Sequence, residues 1–124
     1  MVHGADGIDE MSTTGHTKIS ECRNGSVSTF YVHPADFGLP KSERQDLLGG
    51  DAATNAAIVR EILAGEKGPR RDIVLLNAGA SLFVGGRAAS VREGIDKSGK
   101  AIDSGAALAA LEAMVAASKR EKRP

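Results

Sequence analysis

The pattern of apolar and polar residues divides the chain into β-prone runs near its start and helical periodicity after Gly50. Two of the β-prone runs are joined by Asn24-Gly25, the strongest short-range hairpin signal, because a type I′ turn needs positive φ at both central positions. We therefore predict strands at about 16–22 and 27–32. Cys22, at the end of the first strand, is predicted to be a small buried hydrophobe.

The first two predicted helices follow a glycine-rich stretch. Asp51 is the predicted N-cap of the first helix and Gly65 is its predicted C-terminal stop. Pro69 stands at the start of the second helix, a position that proline favours. Because residues 73–84 are apolar almost all round, the second helix is predicted to be buried on most sides and to form the core.

Two further helices are predicted in the last third of the chain. Residues 90–93 match a capping box, in which a serine hydroxyl and a glutamate three residues later satisfy free backbone N–H groups. The third helix should therefore begin at Val91. The Asp103-Ser104-Gly105 sequence interrupts it, and a fourth helix is predicted from Ala106 to about Ser118.

A β-hairpin followed by about four helices is the element order of an α+β unit. A two-stranded hairpin is marginal alone, so it must pack on the helices or join further strands. Three amphipathic helices and one hairpin offer too little apolar surface to bury the nearly all-apolar second helix on most of its sides. We therefore expect residues 1–118 to be a portion of a larger domain, and residues 119–124 to be a disordered basic tail.

Composition narrows the classes of function. Sixteen basic and sixteen acidic residues give a formal net charge of zero, so no global field attracts nucleic acid or an anionic membrane. With no Trp, one Tyr and three Phe, stacking on bases is not expected. No run approaches the roughly 18 apolar residues of a membrane helix, and one cysteine suits a reducing compartment. We expect a cytoplasmic protein with no nucleic-acid partner and no membrane contact.

Asp9 and Glu10 are adjacent carboxylates in a turn that contains Gly4 and Gly7. Adjacent side chains do not face one ligand from a regular strand or helix, so a shared ligand requires irregular backbone, which these glycines allow. Paired hard oxygen ligands on a loop suit Mg²⁺, which usually takes one or two protein carboxylates. For the dipeptide alone, a solvated acidic turn is the other interpretation.

Several segments together resemble the C-terminal part of the anthranilate phosphoribosyltransferase family, from about Val2 to Leu111. The matching segments are VHGADGIDEMSTTGHTKISE, HPADFGL, DLLGGDAATNAAIVREILAGEKGPRRDIVLLNAGASLFVGG and REGIDKSGKAIDSGAAL. That family transfers phosphoribose from phosphoribosyl pyrophosphate to anthranilate and releases pyrophosphate, a step of tryptophan biosynthesis. The resemblance implies a pentosyltransferase and a portion of the large α/β domain that the family shares with nucleoside phosphorylases.

The resemblance also implies a site. Asp9 and Glu10 match the acidic pair that holds magnesium against the pyrophosphate group, so Mg²⁺ is the implied cofactor. It assigns no catalytic residue and no substrate contact in this chain. Asp6 is expected to shape the turn, and His3 to be a structural histidine at a strand end. Asn77 either bonds a buried backbone group or faces a cleft, and the structural role is favoured because buried polar groups usually have a local partner.

The family also carries a GTGGD phosphate loop, a KHGN segment and an arginine that contacts anthranilate, all upstream of the acidic pair; none is in this sequence. We therefore expect the chain to be part of a longer enzyme that uses phosphoribosyl pyrophosphate and anthranilate, and to be inactive alone. Exposed apolar faces favour a homodimer. The alternative hypothesis is a non-catalytic folded remnant or binding module that self-associates.

Overall fold

A computed structural model describes residues 1–119, which form three strands followed by four α-helices. The strands are β1 (Val2–Gly4), β2 (Thr17–Arg23) and β3 (Ser26–Val32), and the helices are α1 (Ala52–Leu63), α2 (Pro69–Val84), α3 (Val91–Asp103) and α4 (Ala106–Ser118). Two 3-10 helices, Pro34–Phe37 and Arg44–Leu47, connect the sheet to the helices. The predicted α+β order is confirmed. Of the predicted basic tail only Lys119, the C-cap of α4, is described; the prediction for residues 120–124 lies outside the described residues.

The sheet is antiparallel, with the order β1-β2-β3. Asn24 and Gly25 have φ angles of 50° and 79°, so the predicted hairpin turn is confirmed. The prediction that Cys22 is buried is wrong: it is exposed and pairs with Val27, which is 70% exposed. Both lie on a face of the sheet that none of the described helices covers, and strand alternation alone does not tell which face is covered.

β1 was not predicted. It has only three residues, and Val2 pairs with Ile19 of β2. Three residues are too few to show a period-two pattern, so only its pairing with β2 identifies it as a strand.

The predicted start and end of α1 are confirmed. The Asp51 carboxylate accepts a hydrogen bond of 2.8 Å from the Thr54 backbone N–H, as an N-cap does. Gly65 follows the C-cap with φ at 103°, a conformation that favours glycine. These signals are local, which is why the sequence reveals them.

The start of α3 is confirmed with one difference in its cap. The Ser90 hydroxyl accepts a hydrogen bond of 3.1 Å from the Glu93 backbone N–H. The Glu93 carboxylate in turn accepts a hydrogen bond of 2.7 Å from the Ala89 N–H, whereas in a capping box it would accept from the N–H of the N-cap residue itself, one position later. Glu93 also forms an ion pair with Lys97 at 2.7 Å. The N–H groups of Glu93 and Ala89 are thus satisfied, and the helix begins at Val91 as predicted.

The core lies where α2 packs on α3 and on the loop after β1. Its fully buried apolar members are Met11, Ile62, Leu75, Leu76, Ile95 and Ile102. The prediction that α2 is buried on most sides is only partly right, because Leu76 is 1% exposed whereas Val84 is 84% exposed. In the last turn of α2, Leu82 and Phe83 are half-buried, with the Arg23 guanidinium over the Phe83 ring, and Val84 is exposed. Within residues 1–119 no single helix is long and apolar enough to cross a bilayer; α3 and α4 meet that length and composition only as a pair bent by 70°.

A candidate metal site on an acidic loop

The loop between β1 and β2 turns back directly after its first strand. The Gly4 N–H donates to the Ile8 carbonyl at 3.0 Å, and the Gly7 N–H donates to the Gly4 carbonyl at 2.9 Å. Gly7 has φ at 94°, which a residue with a side chain rarely adopts. This tight turn places Asp9 and Glu10 on irregular backbone, as the sequence predicted for two neighbours that serve one ligand.

Asp9 and Glu10 are both exposed. Among residues 1–119 their side chains make no hydrogen bond and no ion pair. Partial desolvation raises the pKa of Glu10 above its ordinary value, and the charges of Asp9 and Asp6 raise it further. Glu10 therefore lies close enough to Asp9 and Asp6 to be repelled by their charges, and a cation at this loop would relieve that repulsion.

Asp6 has its lone pairs occupied by the loop itself. It accepts hydrogen bonds from the Ser12 hydroxyl at 2.9 Å, from the Thr14 hydroxyl at 2.6 Å and from the Ile8 N–H at 3.4 Å. Desolvation by burial raises the pKa of Asp6, but the hydrogen bonds lower it by more, so that the pKa lies below its ordinary value. The bond from Thr14 has the largest effect among them. The expectation that Asp6 shapes the turn agrees with this geometry.

Asn77 of α2 bonds the backbone of the same loop. Its Oδ1 accepts from the Met11 N–H at 2.9 Å, and its Nδ2 donates to the Met11 carbonyl at 2.8 Å and to the Ile73 carbonyl at 3.0 Å. Met11 is 1% exposed, so these are bonds to a buried backbone group, the favoured one of the two predicted roles. The sequence could not name the partner, which lies 66 residues away.

His3 lies at the centre of β1, opposite Lys18, and its side chain is exposed. His3 was expected to be a structural histidine at a strand end, but it is the central residue of β1 and makes no side-chain hydrogen bond to any other residue between 1 and 119, so this geometry gives no support to a structural role.

Two histidines that the sequence analysis did not single out lie side by side. His16 and His33 extend the register of β2 and β3 one step beyond Thr17 and Val32, and their ring centroids are 5.1 Å apart. The predicted hairpin turn could have found this pair, because the turn fixes which residues lie opposite. The Nδ1 atom of His33 accepts a hydrogen bond of 3.3 Å from the Ala35 N–H, so this histidine caps the first 3-10 helix.

The donor set of the acidic loop fits Mg²⁺. No cluster of three or more metal-binding side chains occurs in the described part of the chain, so at most a pair of carboxylates is available at this loop. Magnesium usually takes one or two protein carboxylates and completes its octahedron with water and substrate phosphates. Zinc and other metals that prefer nitrogen or sulfur ligands fit a pair of carboxylates poorly.

Two hollows of the surface lie away from the acidic loop. One, of about 200 Å³, lies between the end of α1 and the start of α2 and includes Glu61, Lys67 and Arg70 in its lining. A second, of about 420 Å³, is lined by residues of the second 3-10 helix and its flanks. Neither of these two hollows includes Asp9 or Glu10.

Comparison with known proteins places this geometry in a family. Residues 1–108 match the family described as glycosyl transferase family, a/b domain. The chain is 45% identical over 122 residues to the anthranilate phosphoribosyltransferase of Alkaliphilus metalliredigens, covering 98% of this chain and 36% of that protein. It is 51% identical over 117 residues to that of Parvibaculum lavamentivorans, covering 94% and 34%. The chain thus spans about a third of the length of these curated relatives.

Solved structures of anthranilate phosphoribosyltransferases have the same fold over this part of their chains. The crystal structure of anthranilate phosphoribosyltransferase from Thermus thermophilus superposes with a TM-score of 0.83 at 36% identity, covering 93% of this chain and 34% of that one. The Saccharomyces cerevisiae enzyme in complex with phosphoribosyl pyrophosphate and Mg gives 0.80 at 31% identity, covering 90% and 32%. The resemblance in the sequence is therefore confirmed, and the family match includes the sheet, the acidic loop and α1 to α3. The chain belongs to the glycosyl transferase family, through the a/b domain of that family.

Proposed function

We propose that this chain is part of an anthranilate phosphoribosyltransferase and that Asp9 and Glu10 are its magnesium ligands. The observation that carries the proposal is the pair of exposed carboxylates, unpaired within residues 1–119, on a loop that is held from two sides. Support comes from a structural neighbour that binds phosphoribosyl pyrophosphate and Mg. The reaction would transfer phosphoribose to anthranilate and release pyrophosphate.

The chemistry explains why carboxylates are needed here. Cleavage of the C1–O bond of phosphoribosyl pyrophosphate passes through an oxocarbenium-like transition state and moves negative charge onto the leaving group. When bound, magnesium stabilises that charge as a Lewis acid. Asp9 and Glu10 would hold the cation, whereas Asp6 is engaged with two hydroxyl groups and serves the loop. None of the described side chains is assigned to proton transfer.

A metal titration tests the ligand assignment on the chain itself. Mn²⁺ accepts the same oxygen ligands as Mg²⁺ and broadens the NMR signals of nearby nuclei. In wild type we expect selective broadening of the Asp9 and Glu10 amide signals, and loss of that selectivity in Asp9→Asn/Glu10→Gln. The matched control is Asp96→Asn/Glu112→Gln, which removes the same two charges from exposed helix positions and should behave as wild type. Equal broadening in the first double variant and in wild type would contradict the assignment.

The source gene tests the larger claim. If the chain is part of the transferase, an upstream segment encoding GTGGD and KHGN lies in phase with it. A gene without such a segment would instead favour the non-catalytic alternative.

A specific observation supports the alternative of a non-catalytic module that self-associates: Val27 and Tyr31 of the edge strand β3 are 70% and 65% exposed, and Met114 of α4 is 62% exposed. Uncovered apolar residues on a sheet edge promote self-association.

Location and assembly are part of the same proposal. The net charge of zero and the free thiol of Cys22 favour a cytoplasmic enzyme without nucleic-acid or membrane partners. The exposed apolar side chains of the edge strand β3 favour a homodimer. Fractionation of the source cells checks the compartment, and sedimentation checks the assembly.

A further inference from the structure

Asn77 uses its amide group to bind both polar groups of one distant residue. Oδ1 accepts from the Met11 N–H at 2.9 Å and Nδ2 donates to the Met11 carbonyl at 2.8 Å; a second Nδ2 hydrogen reaches the Ile73 carbonyl at 3.0 Å. A side chain with two donor hydrogens and an acceptor is thereby largely satisfied. Ile73 belongs to the same helix, so its bond also fixes the orientation of the amide on α2.

This contact constrains the acidic pair through the backbone. The Met11 N–H belongs to the same planar peptide group as the Glu10 carbonyl. A hydrogen bond to that N–H therefore fixes the peptide plane that follows Glu10. Met11 is itself buried, with 1% exposure, so its side chain prevents this end of the loop from moving outward.

The other end of the acidic pair is fixed by Asp6. This carboxylate accepts from the Ile8 N–H before the pair, at 3.4 Å, and from the Ser12 hydroxyl after it, at 2.9 Å. Asp9 and Glu10 are thus the two residues between anchored points at Ile8 and Met11. Among the described side chains of the helices, Asn77 alone donates or accepts a hydrogen bond at the Met11 backbone.

We infer that Asn77 is a positioning residue, which holds the Asp9 and Glu10 carboxylates in the geometry required to bind a divalent cation. The inference rests on the proposed function for the identity of the ligands. Groups that orient metal ligands act in this way: they touch no metal, and they remove the entropic cost of arranging ligands at the moment of binding.

The chain contains a matched control for this claim. Asn55 of α1 makes the same pair of bonds to Gly50, with Oδ1 accepting at 2.8 Å and Nδ2 donating at 3.0 Å. That contact closes an exposed turn only five residues away and involves no acidic pair. Asn55→Ala therefore removes the same two hydrogen bonds without affecting the Asp9–Glu10 loop.

The experiment measures loop order and cation binding separately in the full chain. Nitrogen-15 relaxation gives backbone order parameters, and Mn²⁺ alone is the binding probe. In Asn77→Ala we expect the order parameters at Asp9 and Glu10 to fall from about 0.85 to below about 0.6. The Mn²⁺ concentration for half-maximal broadening should rise about tenfold. In Asn55→Ala both quantities should stay at their wild-type values.

The outcomes separate this inference from the proposed function. Unchanged order at Asp9 and Glu10 in a folded Asn77→Ala overturns the positioning role, whatever Mn²⁺ does. A loosened loop in a chain whose wild type shows no selective broadening leaves the positioning of the loop intact and refutes the metal assignment. If Asn77→Ala does not fold, Asn77→Leu replaces it: leucine has a similar volume but can neither accept from the Met11 N–H nor donate to the Met11 carbonyl, so the same loosening is expected.

Discussion

Gly94 of α3 lies directly against the backbone of Gly79 of α2. A Cβ atom on Gly94 would overlap the Gly79 carbonyl group, and a Cβ atom on Gly79 would lie 2.7 Å from the Ile95 nitrogen. The two helices therefore approach at a distance that only glycine allows on both sides. This crossing lies beside Leu75 and Ile95 of the core, so it fixes how α3 covers α2.

Gly94→Ala should destabilise the chain. The obstacle is backbone rather than a flexible side chain, so α2 and α3 must separate, and we expect the free energy of unfolding to fall by about 1–3 kcal/mol. The control is Gly99→Ala on the same helix, where the nearest atoms of Arg71 and Leu75 are at 3.9 Å. There the gain in helix propensity should raise stability by about 0.5–1 kcal/mol. Urea unfolding followed by circular dichroism measures both; equal effects would refute the close crossing.

Asp6→Asn should make the free energy of unfolding depend less steeply on pH in the acid range. The pKa of Asp6 is lowered in the folded state, so its contribution is present above the unfolded pKa and is lost as pH falls through the folded pKa. Replacing the carboxylate should cost about 1 kcal/mol at pH 7, after discounting for solvent screening. Urea unfolding at several pH values between about 2 and 7 should show a shallower acid slope in the variant. Asp96→Asn, at an exposed site, should keep the wild-type slope.

Glu10→Gln should change the stability at pH 7 in the direction opposite to Asp6→Asn. The pKa of Glu10 is raised in the folded state, so protonation favours the fold: the contribution is present below the unfolded pKa and is lost as pH rises through the folded pKa. A neutral glutamine should therefore make the chain more stable at pH 7 and weaken Mn²⁺ binding in the same variant. A thermal melt at pH 7 in a chelating buffer checks the first part, and a lower melting temperature would contradict it.

The isolated 124-residue chain should show no transferase activity. Positioning of both substrates and preorganised charge supply most of the rate, and the GTGGD loop and KHGN segment are not in this sequence. The assay follows the loss of anthranilate fluorescence with phosphoribosyl pyrophosphate and Mg²⁺, with the Thermus thermophilus enzyme as positive control. Turnover above the blank that disappears in Asp9→Asn would overturn this prediction.

The chain should associate with itself as its concentration rises. β3 is an edge strand without a charged residue, and Val27 and Tyr31 on it are exposed. We expect a larger sedimentation coefficient at higher concentration and a shift back to monomer in Val27→Lys. Ala57→Lys adds the same charge at an exposed position of α1 and should leave association unchanged. A wild-type chain that stays monomeric and melts cooperatively at high concentration would show that its own helices cover it sufficiently.

Local signals in the sequence were sufficient for most of the secondary structure. The turn at Asn24-Gly25, the cap at Asp51 and the helix start at Val91 each depend on residues within about four positions of one another. Such signals involve only neighbouring residues, so they are visible in the sequence without knowledge of the rest of the fold. The acidic pair was also visible, because adjacent carboxylates beside glycines form a local pattern.

The tertiary structure decided what is buried and what is held in place. Cys22 and Val84 at the end of α2 are exposed because no described helix lies over them, and β1 exists only through its pairing with β2. Asn77 could be recognised as a polar interruption of an apolar helix, but its bond to Met11 joins residues 66 positions apart. Hydrophobic periodicity reports which face of an element is apolar, not which element covers it. The sequence by itself therefore determined most of the elements and the acidic pair, and only the packing of α2 against the loop showed that the residue after the pair is bonded to Asn77.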